Sequence, residues 1–215
     1  MARDRWATFD CYGTLIDWDG GIRREFARAF GEERADEQVE RYHEVEPALQ
    51  VGGERTYREV MTAAMCELGA LDGEEGALAA ALPSWQPFPE VGASLEEARS
   101  RGWKLAILSN TDRDFIEASM EQIGVPFELA IVASEIGSYK PGHRHWLRFF
   151  DEVDVPRDRY VHVAQSHFHD VVPATQLGLR SVWINRYAER HDPPPTRELP
   201  DLSNLPATLD ELVAA

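Results

Sequence analysis

One stretch near the N-terminus, Thr8-Phe9-Asp10-Cys11-Tyr12-Gly13-Thr14-Leu15, constrains this chain more than any other. Trp6 and Ala7 lead into it, so it reads as a buried strand that ends on a carboxylate. Gly13 lets the backbone turn sharply, and Thr14 offers a hydroxyl at that turn. Open α/β sheets place their chemistry at such a point, a carboxylate at the C-terminal end of a strand followed by a tight turn. Taken alone the stretch is equally an Asp in a strand-ending turn, so the rest of the chain has to decide.

After that strand the apolar residues switch to helical spacing. Ile22, Phe26, Ala29 and Phe30 form one stripe within 21–30, and Val39 and Tyr42 another within 36–46, which Pro47 is expected to limit. Thr56 can cap a third helix with Tyr57, Val60, Met61, Ala64 and Leu68 on its apolar side, and 74–82 reads as a short fourth. Residues 83–89, Pro-Ser-Trp-Gln-Pro-Phe-Pro, read as the hinge that returns the chain. From there strand and helix alternate. Strands are expected at 104–108, 129–132, 160–164 and 181–184, with helices around 93–101, 112–123, 143–153 and 171–177, and a terminal helix at 209–213. Alternation of this kind gives a parallel, doubly wound α/β sheet. A chain of 215 residues can hold one such domain with an insertion and bury roughly 70% of its unfolded surface.

Charge and cysteine content bound the partners. Against 22 basic residues stand 38 acidic ones, a formal net charge of −16, which repels nucleic acid and anionic membranes. Cys11 and Cys66 are too few for a disulfide framework. The first residues carry charge and no apolar core of a signal peptide, and no apolar run reaches the roughly 18 residues of a membrane helix, so a cytoplasmic protein is expected. Lys104 and Lys140 are the only lysines, every other basic residue being Arg. A lysine kept among arginines suggests a use for a compact point charge, and Lys140 is the stronger candidate.

Asp10, Ser109 and Asp170 each fall at or just beyond the C-terminal end of an expected strand, and Lys140 opens a loop before a helix. In a parallel sheet those ends share one edge. Singly, Ser109-Asn110 is a helix cap, Lys140-Pro141 a surface turn and Asp170 a helix start. Together they place a carboxylate, a hydroxyl with an amide, an ammonium and a second carboxylate in one place.

With these stretches in hand, the chain resembles the haloacid dehalogenase superfamily over nearly its whole length. The resemblance rests on Asp10-Cys11-Tyr12-Gly13-Thr14-Leu15, Leu108-Ser109-Asn110, Tyr139-Lys140-Pro141 and the region ending at Asp170, helped by Val182-Trp183-Ile184-Asn185-Arg186. It implies a Rossmann-like core of residues 1–16 and 87–215 and a helical cap of 17–86. Two positions separate the branches of that superfamily. Phosphatases carry a second Asp two residues after the nucleophile, where this chain has Tyr12, as in the L-2-haloacid dehalogenases. Phosphatases also carry two acids five apart to hold Mg²⁺, where this chain has Gln165 and Asp170.

The resemblance therefore implies hydrolytic dehalogenation of a small 2-haloacid through an ester on Asp10, without a metal or other cofactor. Lys140 would keep Asp10 ionised, and Asp170 would orient or activate the water that hydrolyses the ester. Hydroxyls of Thr14 and Ser109, with backbone N–H groups at Cys11 and Tyr12, would hold the carboxylates of nucleophile and substrate. Asn110 would cradle halide, His167 would line the pocket, and Arg41 falls where an ungapped reading from Tyr57 puts the substrate-binding Arg. His167 and His169 resemble a metal pair with no third ligand, and Trp146 stands where a Tyr is usual. Two alternatives stay open: a Mg²⁺-dependent phosphatase of the same superfamily, and a non-catalytic binding protein on the same fold. Whether two copies pair as a homodimer is also open.

Overall fold

A computed structural model describes residues 4–214. Among them, strands β1 (Arg5–Phe9), β2 (Trp103–Ser109), β3 (Leu129–Val132), β4 (Tyr160–Ala164), β5 (Arg180–Ile184) and β6 (Arg197–Leu199) form one sheet in the order β3-β2-β1-β4-β5-β6. Every pairing is parallel. β1 is buried along its whole length, as a central parallel strand must be. From β1 the order first runs outward through β2 and β3, then returns to β4 on the other side of β1. The order thus reverses between β1 and β4, and the crevice beyond their carboxyl ends is where such sheets bind ligands.

The chain between β1 and β2 supplies helices: α1 (Trp18–Phe30), α2 (Ala35–Gln50), α3 (Tyr57–Glu67), α4 (Ala77–Ala81) and α5 (Val91–Ser100). The Asp17 side chain caps α1 by accepting from the Gly20 N–H at 3.1 Å. Thr56 caps α3 in a reciprocal box with Glu59. Pro47 does not limit α2, which runs through it to Gln50. A mid-helix proline removes one backbone bond, but burial of Tyr42, Glu46 and Gln50 on one face holds the helix across the gap.

Later in the chain come α6 (Arg113–Ile123), α7 (Ala133–Ile136), α8 (Arg144–Glu152), α9 (Val172–Gln176) and α10 (Leu205–Leu212). Alternate strand residues face opposite layers. Ala7, Phe9, Leu105 and Ile107 pack with α5, α6 and α10, while Trp6, Ala106 and Leu108 pack with Trp146 and Phe149 of α8. Trp146 is therefore a core residue, fully buried and edge-on to His162. Three expectations need correcting besides Pro47. The strand at β5 is followed by a further edge strand, β6. The helix expected at 74–82 shortens to α4, and α10 begins at Leu205 rather than Leu209. Ahead of α9, residues His167–Val171 make a wide π-type turn.

Candidate active site

β1 ends at Phe9, so Asp10 emerges at the carboxyl edge of the sheet. Its neighbour across the switch point is the segment after β4, whose π-type turn carries Asp170 back toward Asp10. Gly13 adopts φ +84, and a Cβ there would stand 3.2 Å from Gln165 Oε1. The positive φ is what requires the glycine, while the Gln165 side-chain end would have to give by only a few tenths of an ångström. Thr14 closes this turn, donating to Asp10 Oδ2 at 2.8 Å and accepting from the Gln165 N–H at 2.8 Å.

Lys140 joins the two carboxylates. Its Nζ donates to Asp10 Oδ1 at 2.8 Å, to Asp170 Oδ1 at 2.7 Å and to the Leu108 carbonyl at 2.9 Å. An ammonium has three protons, and all three are engaged. The residue is only 2% exposed. Burial would strip the proton from Lys140, yet the two carboxylates raise its pKa, so the cation is secure. Asn110 fixes the loop that delivers it, accepting from the Lys140 N–H at 2.6 Å and donating to the Lys140 carbonyl at 3.0 Å.

Asp170 has a further partner. His162 Nε2 lies 2.9 Å from Asp170 Oδ1, and His162 Nδ1 lies 2.8 Å from Thr8 Oγ1, which in turn meets the Tyr160 hydroxyl at 2.5 Å. Thr8 and His162 face each other in the β1–β4 register. A polar pair placed mid-strand in two buried neighbours was the signal that sequence reasoning passed over. Among the described residues Asp170 Oδ2 has no hydrogen-bond partner, and neither has the buried Ser109 hydroxyl.

These groups open on a cavity of about 440 Å³. Asp10, Ser109, Lys140 and Asp170 line its sheet side, with Asn110, Gln165, Ser166 and His169 around them. Trp18 of α1, His43, Glu46, Pro47 and Gln50 of α2 and Tyr57 of α3 line the opposite side, and Asp19, Tyr187 and Glu189 complete it. Tyr12 also lines the cavity, its hydroxyl 3.0 Å from Ser119 Oγ and its ring stacked on Tyr57. Cys11 is fully buried in the core, leaving only its backbone near the site.

Two expected site residues are elsewhere. Arg41 lies about 2.5 helical turns from Gln50, on the opposite face of α2. Its guanidinium donates to Gln38 at 3.3 Å and to the Glu67 carbonyl at 3.5 Å. His167 turns away from the cavity, with Nε2 2.8 Å from the Pro193 carbonyl and its ring stacked on His191. The cavity histidines are His43 and His169. Burial holds His169 below the ordinary imidazole value. Glu46, a further residue missed in the sequence, is a cavity carboxyl pushed up to about 7 by burial. Among the described residues no cluster of three His, Cys, Asp or Glu is suited to a metal, and no helix is long and apolar enough to cross a membrane.

The model of the haloacid dehalogenase-like hydrolases matches residues 5–172, most of the chain and every catalytic candidate on the sheet edge. The chain belongs to that family. Within it, the chain is 31% identical to haloacetate dehalogenase H-2 of Moraxella sp. over 59% of this sequence and 58% of that protein. It is likewise 31% identical to phosphoserine phosphatase of Thermus thermophilus over 52% and 46% of the two chains. The matched segment thus spans about half the length of these curated relatives. A longer match, 25% identical over 97% of this chain and 93% of the other, is to (S)-2-haloacid dehalogenase 4A of Burkholderia cepacia. Among solved structures, L-2-haloacid dehalogenase of Xanthobacter autotrophicus with chloropropionic acid covalently bound superposes with a TM-score of 0.84 at 17% identity, covering 96% and 98% of the two chains. That likeness establishes the shared fold of the family member described here.

Proposed function

We propose that this hydrolase cleaves the carbon–halogen bond of a small 2-haloacid, releasing halide and a 2-hydroxy acid through an ester on Asp10. The observation that carries the reading is the bridge of Lys140 between Asp10 and Asp170, two carboxylates that line the same cavity, with Asp170 Oδ2 buried and without a partner among the described residues. Helices α1–α3 serve as the cap over it. In the first step an Asp10 oxygen attacks the α-carbon, and halide departs with the bonding electron pair. In the second, water attacks the Asp10 carboxyl carbon while Asp170 Oδ2 takes one of its protons; the C–O bond to that carbon breaks, Asp170 passes the proton to the departing alkoxide of the hydroxy acid, and the proton left on the Asp10 carboxyl goes to solvent, which restores both carboxylates. Holding the carboxylate in line with the scissile bond can lower the barrier by roughly 7–11 kcal/mol.

A Mg²⁺-dependent phosphatase fits less well. Both Asp10 oxygens and Asp170 Oδ1 already accept from Lys140, Thr14 or His162, and Gln165 replaces the second charged ligand. Hard divalent cations want several anionic oxygens in near-octahedral array, so the donor set does not suit the ion and no step is routed through it. A cavity lined by five carboxyl groups and a single lysine also disfavours a phosphate dianion. Halide needs no protonation to leave, which suits a site with Tyr12 in place of an acid.

A halide-release assay over chloroacetate, bromoacetate and both 2-chloropropionate enantiomers tests this, run with and without EDTA beside p-nitrophenyl phosphate. Halide release unaffected by EDTA is expected. Phosphate release lost on chelation and restored by Mg²⁺, with no halide release, would overturn it.

A further inference from the structure

The cavity has no arginine among its lining residues, and its one lysine already holds two carboxylates. A substrate carboxylate therefore finds no free permanent cation. What the cap presents instead is Glu46, 6% exposed, on the cavity face of α2. Its Oε1 accepts from the Gln50 amide, one turn further along the helix. The groups packed around it are His43 and Tyr42 on its own helix, Tyr57 on α3 and Tyr139 on the loop before Lys140. Across the cavity stand Asp10, Asp170, Asp19, Glu189, His169 and the engaged Lys140. No lysine or arginine pairs with the Glu46 carboxyl among the described residues. A buried carboxylate without a cation is costly, and the group keeps its proton instead. Its pKa is accordingly pushed up to about 7.

A protonated carboxyl is a donor, and an O–H to carboxylate bond is among the short, strong, charge-assisted kind. We infer that Glu46, in its protonated form, is the cap group that binds the carboxylate of the substrate. Ser109, which lines the sheet side of the same cavity and whose buried hydroxyl has no partner among the described residues, supplies a second donor. The inference rests on the reading that the substrate is a 2-haloacid and adds how its acid end is recognised. Recognition through a proton, unlike recognition through an arginine, depends on pH. Binding an anion raises the Glu46 pKa further, so above about pH 7 each ligand bound draws one proton from solution.

The test uses the whole protein and propionate, which lacks a leaving group, so that binding is read without turnover. Calorimetry between pH 5.5 and 9 is expected to show Kd constant below about pH 7 and rising about tenfold per unit above it, with one proton taken up per ligand. Glu46→Gln keeps a donor but cannot titrate, and its Kd is expected to stay flat across the range. Glu46→Ala is expected to bind weakly at every pH, with circular dichroism checking the fold. His43→Gln and His169→Gln are expected to retain the wild-type profile, since a protonated imidazole would mimic it. A flat profile in the wild type overturns the inference, as does a pH dependence that survives in Glu46→Gln and disappears in either histidine variant. Halide release with pH-independent propionate binding would sink only this inference. Proton-coupled binding without any halide release would sink the dehalogenase reading instead.

Discussion

Asp10 and Asp170 share one ammonium but not one environment. Burial raises the Asp10 carboxyl above its ordinary value against the pull of Lys140. Asp170 is equally buried, but Lys140 and His162 together hold it down to about 2. On the proposed mechanism Asp10 attacks as a carboxylate, so the acid limb of kcat/KM is assigned to it and is expected to inflect above the ordinary aspartate value of about 3.9. Activity is present above that limb and lost as pH falls through it; a pH–rate profile in buffers from pH 3 to 8 measures it. Replacing His162 by Phe removes one anchor of Asp170 Oδ1, and on the proposed mechanism is expected to slow ester hydrolysis roughly ten- to hundredfold, within the range of one acid–base contribution. Rapid-quench halide assays should then show one equivalent released at the wild-type rate before a slower steady state, and His162→Gln should recover part of the second phase. Convergence of Asp10, Ser109 and Asp170 was legible because each sits at or just beyond a strand end that parallel pairing brings to one edge, and Lys140 because it is a lysine kept among arginines in a loop that opens a helix. His162 was not, because its partners are residues of neighbouring strands and only register reveals them.

At the scale of elements, α3 shows how far local rules reach. Thr56 and Glu59 form the capping box that their spacing implies, and the Asp112 carboxylate accepts from the N–H groups of Tyr57 and Arg58 at 2.8 and 2.9 Å. Thr56→Ala is expected to cost about 0.5–2 kcal/mol, seen in urea unfolding as a lower midpoint with unchanged slope; an unchanged midpoint would show that Asp112 alone holds the helix end. Where local rules failed, tertiary packing decided. Pro47 ends a helix by propensity, yet α2 buries Tyr42, Glu46 and Gln50 on either side of it. β6 carries the charged residues Arg197 and Glu198 at the sheet edge and so lacks the apolar run that marks a strand. The π-type turn at His167–Val171 has no sequence period of its own, and it is what aims Asp170 inward and His167 outward.

Across the whole molecule, the site is made by two parts of the chain that meet over one cavity, the sheet edge below and α1–α3 above. Strand order was not read from the alternation of strand and helix, but the parallel, doubly wound class of the sheet was legible from it. The cap side was not, since nothing in a helical stripe says which face will look down on the site; Arg41 looked placed and is not, while Glu46 is. On the proposed mechanism Asp10 becomes covalently attached to substrate. A single turnover in H₂¹⁸O with enzyme in excess over 2-chloropropionate measures this directly. Mass spectrometry is expected to find ¹⁸O in the peptide containing Asp10 and none in the hydroxy acid, and Asp10→Asn is expected to abolish halide release. Label in the hydroxy acid during that first turnover, with Asp10 unlabelled, would contradict the account.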